Sequence, residues 1–211
     1  MKFGIGQAVK RVEDKVLITG TGNFTDDVNV GEGMAIHFVR SAHAHANIKY
    51  INFEEASKRS GVKLIATQKE LDDENIGEIE CLDLVTNSDG SEISPSARPP
   101  MARGVVRCAG DIVAMVVAET KEQALDAAEL IEIDYDAMPA VVDTESALAP
   151  KAPQLYTQYP GNRVFHWQAG NHDETMQQFE TACMPDDSIV ELSVINNRIA
   201  PNAIDMRQII A

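Results

Sequence analysis

The chain has 211 residues, of which 44% are hydrophobic and 24% are charged, so it can build a substantial core and is not expected to be disordered. Its formal net charge of -15 would repel phosphate backbones and anionic lipid head groups, and the sequence therefore predicts neither nucleic-acid nor membrane binding. No apolar window approaches the length of a membrane span, and the N-terminus lacks the apolar core of a signal peptide, so a cytoplasmic location is favoured.

The first 33 residues are rich in turn formers, and we expect them to form an irregular N-terminal arm. Within this arm, GTGN at 20–23 lacks the preceding strand, the following helix and the lysine of a phosphate-binding loop. Asp26 and Asp27 lie beside turn-forming residues and are typical of a solvated turn rather than a cation site. Both stretches are therefore interpreted as turns.

Strands and short helices are predicted to alternate after residue 33. In chain order they are a strand at 34–41 with one face well buried, a strand at 47–53, a helix at 54–60, a strand at 62–67 and a helical turn at 68–74. Gly61 is expected to end the first helix, because glycine is favoured just past a helix end. Residues 75–107 are rich in serine, glycine and proline, and they predict a long surface excursion.

The clearest pattern follows this excursion. DIVAMVVA at 111–118 predicts a strand that is buried on both faces. Thr120 and Gln123 have the spacing of a capping box at the start of the next helix. The helix is expected to bury one stripe against the sheet, formed by Ala124, Leu125, Ala128 and Ile131. LIEIDYD at 130–136 alternates with period two and predicts the strand that follows the helix.

Together these elements predict an α+β domain over residues 34–145. Residues 146–170 are rich in proline and are interpreted as a linker, and 171–211 as the start of a further domain. The final apolar run at Ile209 suggests that the chain leads into another element, as the front part of a larger assembly would.

The cysteines offer no recognisable metal site. Cys81, Cys108 and Cys183 are widely spaced, so they predict thiols in a reducing compartment rather than a zinc or iron–sulfur site. Cys108 has no histidine placed beside it as a base, and the preferred interpretation is a buried structural thiol rather than a nucleophile.

Two histidines, His43 and His45, could chelate a cation, because residues two apart lie on the same side of an extended chain. Two ligands are too few for a catalytic metal, and the favoured interpretation is a pair of hydrogen-bonded histidines in a loop or interface. No acid–base pair, activated nucleophile or cofactor cradle emerges from the residues. The sequence thus assigns no catalytic residue and no metal ligand, and it leaves cofactor-binding residues unknown.

Five stretches, taken in order, resemble the start of the large subunit of the molybdenum hydroxylases, the family of xanthine dehydrogenase, aldehyde oxidase and aerobic carbon monoxide dehydrogenase. These stretches are IGQAVKRVED (5–14), TGTGNFTDDVNV (19–30), FVRSAHAHANI (38–48), GDIVAMVVAETKEQALDAAELIEIDYDAMPAVVD (110–143) and NNRIAPNAIDMR (196–207). Each motif alone is weak, but their order and spacing are specific. RCAGDIVA and AIDMR depart from the usual family patterns.

The resemblance implies an α/β hammerhead domain, preceded by an arm at 1–33 and followed at 171–211 by the truncated start of the molybdopterin-binding domain. None of the family's catalytic residues matches a position in this chain. A molybdopterin cofactor is implied only for a partner or for the part of the subunit that lies beyond this sequence.

Two functional classes follow from the resemblance. In the first, the chain is a piece of a large subunit that provides scaffold and subunit contact, without catalysis of its own, to a cofactor-bearing portion and to iron–sulfur and flavin subunits. In the second, it is a stand-alone binding or assembly module, or an inactive relic. An exposed apolar surface near the C-terminus would favour the first class. The candidate interface residues are Arg40, His43, His45, Asn197, Arg198 and Arg207.

Overall fold

The computed structural model describes residues 6–28, 31, 33–82, 85–93, 98–182, 189–197, 199, 203 and 209. The chain divides into two compact units, one formed by Met34–Asp187 and the other by Met1–Gly33 with Ser188–Ala211. The arm, domain and linker boundaries inferred from the sequence stay predictions. No helix in the described part of the chain has the length and apolar character needed to cross a bilayer.

The predicted alternation of strands and helices is observed in the larger unit. The smaller unit contains helix α1 (Asp14–Ile18) and a 3-10 turn at Thr25–Asp27. The larger unit contains, in order, β1 (Ala35–Arg40), β2 (Ala46–Asn52), α2 (Glu54–Ser57), β3 (Val62–Thr67), α3 (Gln68–Asp73), β4 (Val105–Val106), β5 (Ile112–Ala118), α4 (Lys121–Ala128), β6 (Glu132–Ala137), α5 (Thr144–Ala147), a 3-10 turn at Pro160–Asn162 and α6 (His172–Thr181).

Two three-stranded antiparallel sheets form the framework. The first has the order β1-β5-β3 and the second has the order β4-β2-β6. Strand β5 lies at the centre of the first sheet, and helix α4 leads from it to β6 at an edge of the second sheet. The strand–helix–strand segment predicted from the sequence therefore joins two sheets rather than completing one.

Helix α4 covers one face of the first sheet through alanines. Its capping box forms as predicted, with Gln123 N donating to Thr120 Oγ1 at 3.2 Å and Thr120 N donating to Gln123 Oε1 at 3.1 Å. Ala124 and Ala127 are completely buried, and they pack in a cluster with Val116 of the central strand. Side chains of this size let the helix approach the sheet closely.

The predicted buried stripe of α4 is only partly correct. Leu125 is 43% exposed, whereas Ala127, which was not predicted, has no exposed surface. Residues 124, 127 and 128 lie within one narrow sector of a helix, and Leu125 falls beside it. Ile131 lies beyond the helix end at Ala128, although it packs against the same cluster in part.

The two faces of the first sheet are buried to different extents. β5 was predicted to be buried on both faces, and this is correct only in part: Val113 and Val116 are fully enclosed on opposite faces, but Met115 and Val117 are partly exposed. β1 is a strand as predicted, but no residue in it is fully buried. Its Ile36 and Phe38 are 53% and 41% exposed, on the side of the sheet opposite to helix α4.

The second sheet has its own small core. Ala46 on β2, Val106 on β4 and Val113 on β5 are buried together, and residues of β2 and β6 pack around them. The core therefore lies where β5 meets the second sheet. The segment at 75–107, predicted as a surface excursion, contributes strand β4 and the buried Val106 to this core.

The excursion is further anchored through helix α3. Gln68 is 3% exposed, and its Oε1 accepts a hydrogen bond from the backbone N of the buried Met101 at 2.9 Å. Arg103 donates to Asp72 from Nη2 at 2.7 Å and from Nε at 3.0 Å, and it also contacts Glu78. These contacts tie residues 101–103 to α3.

Residues 146–170, predicted as a linker, also make specific contacts. Asn162 Nδ2 donates to Ala147 O at 3.0 Å and to Pro153 O at 2.9 Å. Arg107, beside β4, donates from Nε to Leu155 O at 2.8 Å, and its guanidinium lies 4.5 Å from the centre of the Tyr156 ring. This segment is thus packed against the region of β4.

The Arg103–Asp72 pair predicts a specific acid dependence of stability. Side-chain hydrogen bonds from Arg103, and then from Gln68, lower the pKa of Asp72. Because the folded-state pKa is lowered, the stabilisation is complete above the ordinary aspartate pKa of about 4 and is lost as the pH falls through the lower folded value. Arg103→Gln should therefore melt at a lower temperature than wild type at neutral pH, and this difference should disappear in acid.

Melting curves between neutral and strongly acidic pH test this prediction. The difference at neutral pH should be small, because the pair is half-exposed and is screened by solvent. Arg163→Gln removes the same charge elsewhere in the chain and should show no such convergence with wild type. A melting difference for Arg103→Gln that is constant with pH would contradict the assignment.

Candidate functional site

The candidate interface residues near β1 belong to a loop that is fixed to the turn before β5. Ser41 is 4% exposed; its N donates to Asp111 O at 2.9 Å, and its O accepts from Gly110 N at 2.8 Å. Arg40 Nη1 donates to Gly110 O at 2.8 Å, and His43 N donates to Ser41 Oγ at 3.0 Å. Arg40 and the backbone of His43 are therefore held in one rigid corner of the fold.

The two histidine rings are directed to β6 and the residues after it. His45 is 7% exposed, and its Nδ1 lies 2.8 Å from Pro139 O. A carbonyl oxygen can only accept, so Nδ1 carries the proton and the free lone pair of the neutral ring lies on Nε2. The His43 ring lies against Tyr135, with ring centroids 4.7 Å apart. The structure thus brings both rings to β6 but ties each to a protein group.

No metal site accompanies these histidines in the described part of the chain, where no group of three histidine, cysteine, aspartate or glutamate residues is placed to hold an ion. The hydrogen bond of His45 matches the interpretation favoured from the sequence. The role of Arg40, His43 and His45 in a subunit interface stays a prediction.

The C-terminal candidates are only partly described. Asn197 is exposed, whereas Arg198 and Arg207 lie outside the described residues, as does Cys183. The apolar residues described around Asn197 are strongly exposed: Val190 at 86%, Val194 at 74% and Ile195 at 84%. The interpretation of this segment as part of a subunit interface stays a prediction.

The prediction of a buried thiol at Cys108 is wrong, because the residue is exposed. It lies in the turn that precedes β5, where the Asp111 carboxylate accepts from Arg107 N at 2.7 Å and from Cys108 N at 3.1 Å. The aspartate side chain closes the turn through these backbone groups, so burial of the cysteine is not needed to stabilise it.

Sequence reasoning missed a shallow cleft between two segments that were treated separately. Residues 87–89 of the excursion and 163–166 of the predicted linker line it together. Ser88 N donates to His166 O at 2.8 Å, and His166 N donates to Asn87 Oδ1 at 2.8 Å. Arg163 contributes a guanidinium, Asp89 a carboxylate and His166 an imidazole to this cleft. Neither segment has a motif that would have indicated the pairing.

The described residues form no recognisable site for a molybdopterin cofactor. Among them, no group of three histidine, cysteine, aspartate or glutamate side chains is placed to hold a metal. The cleft at 87–89 and 163–166 is open and lacks a buried donor set. What the described geometry provides is a two-sheet fold with exposed apolar side chains.

Comparison with known proteins identifies this fold. Residues 19–139, more than half of the chain, match the family model of the aldehyde oxidase and xanthine dehydrogenase a/b hammerhead domain. The carbon monoxide dehydrogenase large chain of Afipia carboxidovorans is 32% identical over 191 residues, covering 85% of this chain and 22% of that protein. The gamma subunit of the 6-hydroxypseudooxynicotine dehydrogenase complex of Paenarthrobacter nicotinovorans is 35% identical over 147 residues, or 70% of this chain and 18% of that one.

A solved structure agrees with these matches. The Cu,Mo-CO dehydrogenase in its carbon monoxide reduced state aligns with a TM-score of 0.63 and 33% identity, over 86% of this chain and 23% of that chain. The chain therefore spans roughly a fifth of the length of the relatives that it matches. From the family match and the two-sheet fold, the chain belongs to the aldehyde oxidase and xanthine dehydrogenase family, of which it carries the α/β hammerhead domain.

Proposed function

We propose that this chain is the N-terminal piece of a molybdenum hydroxylase large subunit, which supplies scaffold and subunit contact and is not catalytic alone. The observation that carries the proposal is the hammerhead match at residues 19–139 in a chain that spans 22% of a carbon monoxide dehydrogenase large chain. The molybdopterin cofactor would be carried by a separate large-subunit portion, with residues 171–211 leading into it.

The assembled complex would oxidise or hydroxylate a small substrate in the cytoplasm and pass electrons to iron–sulfur and flavin subunits. Two relatives support a multisubunit enzyme by their names, one as subunit gamma of a dehydrogenase complex and one as a nicotine 6-hydroxylase large subunit. Because the names of the relatives refer to compounds as different as carbon monoxide and nicotine, the proposal is limited to the reaction class.

The exposed surfaces of the larger and smaller units support a role in assembly. Helix α6 (His172–Thr181) has no buried residue, and its Met176 and Phe179, three positions apart, are 46% and 53% exposed. The apolar residues described between 189 and 199 are exposed as well. Apolar groups on this scale are typical of surfaces that a partner covers. We include Arg40, His43, His45, Asn197, Arg198 and Arg207 in the proposed interface.

Affinity purification of the tagged chain from the cells that express it tests this function. We expect a cofactor-bearing chain to co-purify, identified by mass spectrometry, together with molybdenum measured by elemental analysis. The lone chain, expressed in a heterologous host, should show no oxidation of candidate substrates with an artificial electron acceptor. A metal-free chain that purifies alone from its own cells would contradict the proposal and favour the stand-alone module or relic.

A further inference from the structure

One face of the first sheet presents large apolar side chains, several of which are about half exposed, although Ala66 on the same face is buried. In an antiparallel sheet, directly paired residues point to the same side. The register pairs Val117 of β5 with Ile36 of β1 and Leu64 of β3, and it pairs Met115 with Phe38 of β1. Met34 precedes β1 on the same side. We name these six residues, Met34, Ile36, Phe38, Leu64, Met115 and Val117, the outer sheet face.

The outer sheet face is exposed because both covering elements lie elsewhere. Helix α4 packs on the opposite face, against Val116 and its neighbours. The second sheet covers only the far end of β5, where Val113 joins Ala46 and Val106. Consequently Met34 remains 65% exposed, Ile36 53%, Phe38 41% and Leu64 50%. A cluster of large apolar side chains of this kind on a strand surface is unusual for a chain that works alone.

The chemistry of this face indicates what can cover it. It is flat and has no polar group among its six members that could orient a small ligand. A membrane is disfavoured, because a chain with a net charge of -15 is repelled by anionic lipid. A flat apolar surface of β-branched, leucine, methionine and phenylalanine side chains matches another apolar protein surface.

We infer that the outer sheet face is the docking surface for the cofactor-bearing remainder of the large subunit. This inference rests on the proposed function and names the surface at which the two portions meet. The supporting observation is length: the solved relative contains the same fold over 86% of this chain, yet this match is only 23% of that chain. The unmatched part of the relative is therefore more than three times as long as the matched part, and it is available to cover the face.

The test compares Leu64→Lys with Leu148→Lys in the tagged full-length chain. Leu64 is 50% exposed on the outer sheet face, and Leu148 is 54% exposed at the end of α5, so the two changes are matched in chemistry and in burial. For each variant, mass spectrometry measures the amount of cofactor-bearing chain captured per tagged chain, and elemental analysis measures molybdenum. We expect at least a tenfold loss for Leu64→Lys and less than a twofold change for Leu148→Lys.

Melting curves of each variant show whether a loss of captured partner is caused by unfolding of the tagged chain. If Leu64→Lys melts well below wild type, Ile36→Lys replaces it, with Ile79→Lys as its control, because Ile36 and Ile79 are 53% and 60% exposed. Capture that persists when the outer sheet face carries a lysine overturns the inference but leaves the proposed function intact.

Absence of any cofactor-bearing partner for the wild-type chain overturns both the inference and the proposed function. In that case analytical ultracentrifugation of the purified chain shows whether a second copy covers the outer sheet face. A wild-type dimer that Leu64→Lys dissociates would assign the outer sheet face to a second copy of this chain.

Discussion

Replacing Ala127 by aspartate is expected to unfold the larger unit of this protein. Ala127 lies on the face of α4 that packs against the first sheet. It has no exposed surface, and it is in one cluster with Ala124 and Val116. A carboxylate at this position would be buried without a partner, and the alanine-lined contact leaves no space for its extra atoms. A loss of about 3–5 kcal/mol is expected, which is comparable to the whole stability of a marginal domain.

Leu125→Asp is the matched control for this change. It places the same charge on the same helix, two residues earlier, at a position that is 43% exposed. We expect it to cost about 1 kcal/mol or less, mainly through helix propensity and lost apolar contact. Urea unfolding followed by circular dichroism measures both. Equal losses for the two variants would mean that α4 does not bury the face described.

Gly61→Ala is expected to destabilise the protein by about 1–3 kcal/mol, through backbone strain and through loss of the α4 capping box. Gly61 has a φ of +83°, which L side chains rarely adopt. An added Cβ would also lie within 2.1 Å of Gln123 Oε1, the atom that accepts from Thr120 N. The glutamine would have to leave the capping box to make room.

Two comparisons separate the strain from the lost cap. Gly90 has a φ of +84° and no atom within 4 Å of the added Cβ, so Gly90→Ala measures the strain alone. A double-mutant cycle with Gln123→Ala removes the clash and the cap together. We expect Gly61→Ala to cost more than Gly90→Ala in wild type, and this excess to vanish when Gln123 is alanine. An unchanged excess would show that the contact with Gln123 is unimportant.

Local sequence signals predicted those parts of the fold that local interactions determine. The capping box of Thr120 and Gln123 depends on residues three positions apart, and it forms as expected. The alternating runs at β1, β2 and β6 also became strands. The α/β hammerhead fold itself came from the resemblance of ordered motifs, which the family match confirms.

The burial of individual side chains was harder to predict, because it depends on which other element of the tertiary structure packs against them. A hydrophobic pattern favoured Leu125 as a core residue, yet the close approach of α4 to the sheet selects Ala127 instead. Cys108 was interpreted as a buried thiol because no histidine base is placed beside it, yet it is exposed in a turn that the Asp111 carboxylate closes. Ile36 and Phe38 look like core residues and remain exposed on the outer sheet face.

The candidate site was predictable only in part for a related reason. His45 was expected to be hydrogen-bonded, but its partner, Pro139 O, is 94 residues away and no sequence motif connects them. The cleft that joins Ser88 to His166 depends on contacts 78 residues apart between two segments without regular structure. Such pairings arise from the tertiary fold, so they cannot be inferred from spacing.

The strand order of the two sheets also constrains how this chain folds as it is synthesised. In the described part of the larger unit, no strand pairs with the strand that precedes or follows it in the sequence. β1 pairs with β5, and β2 pairs with β6 and β4. Neither sheet can close until the ribosome has made residues as far as Ala118 and Ala137, respectively. Pairings this distant in sequence form slowly, and unpaired apolar strands favour aggregation. We therefore expect the nascent chain to depend on chaperones through most of its translation.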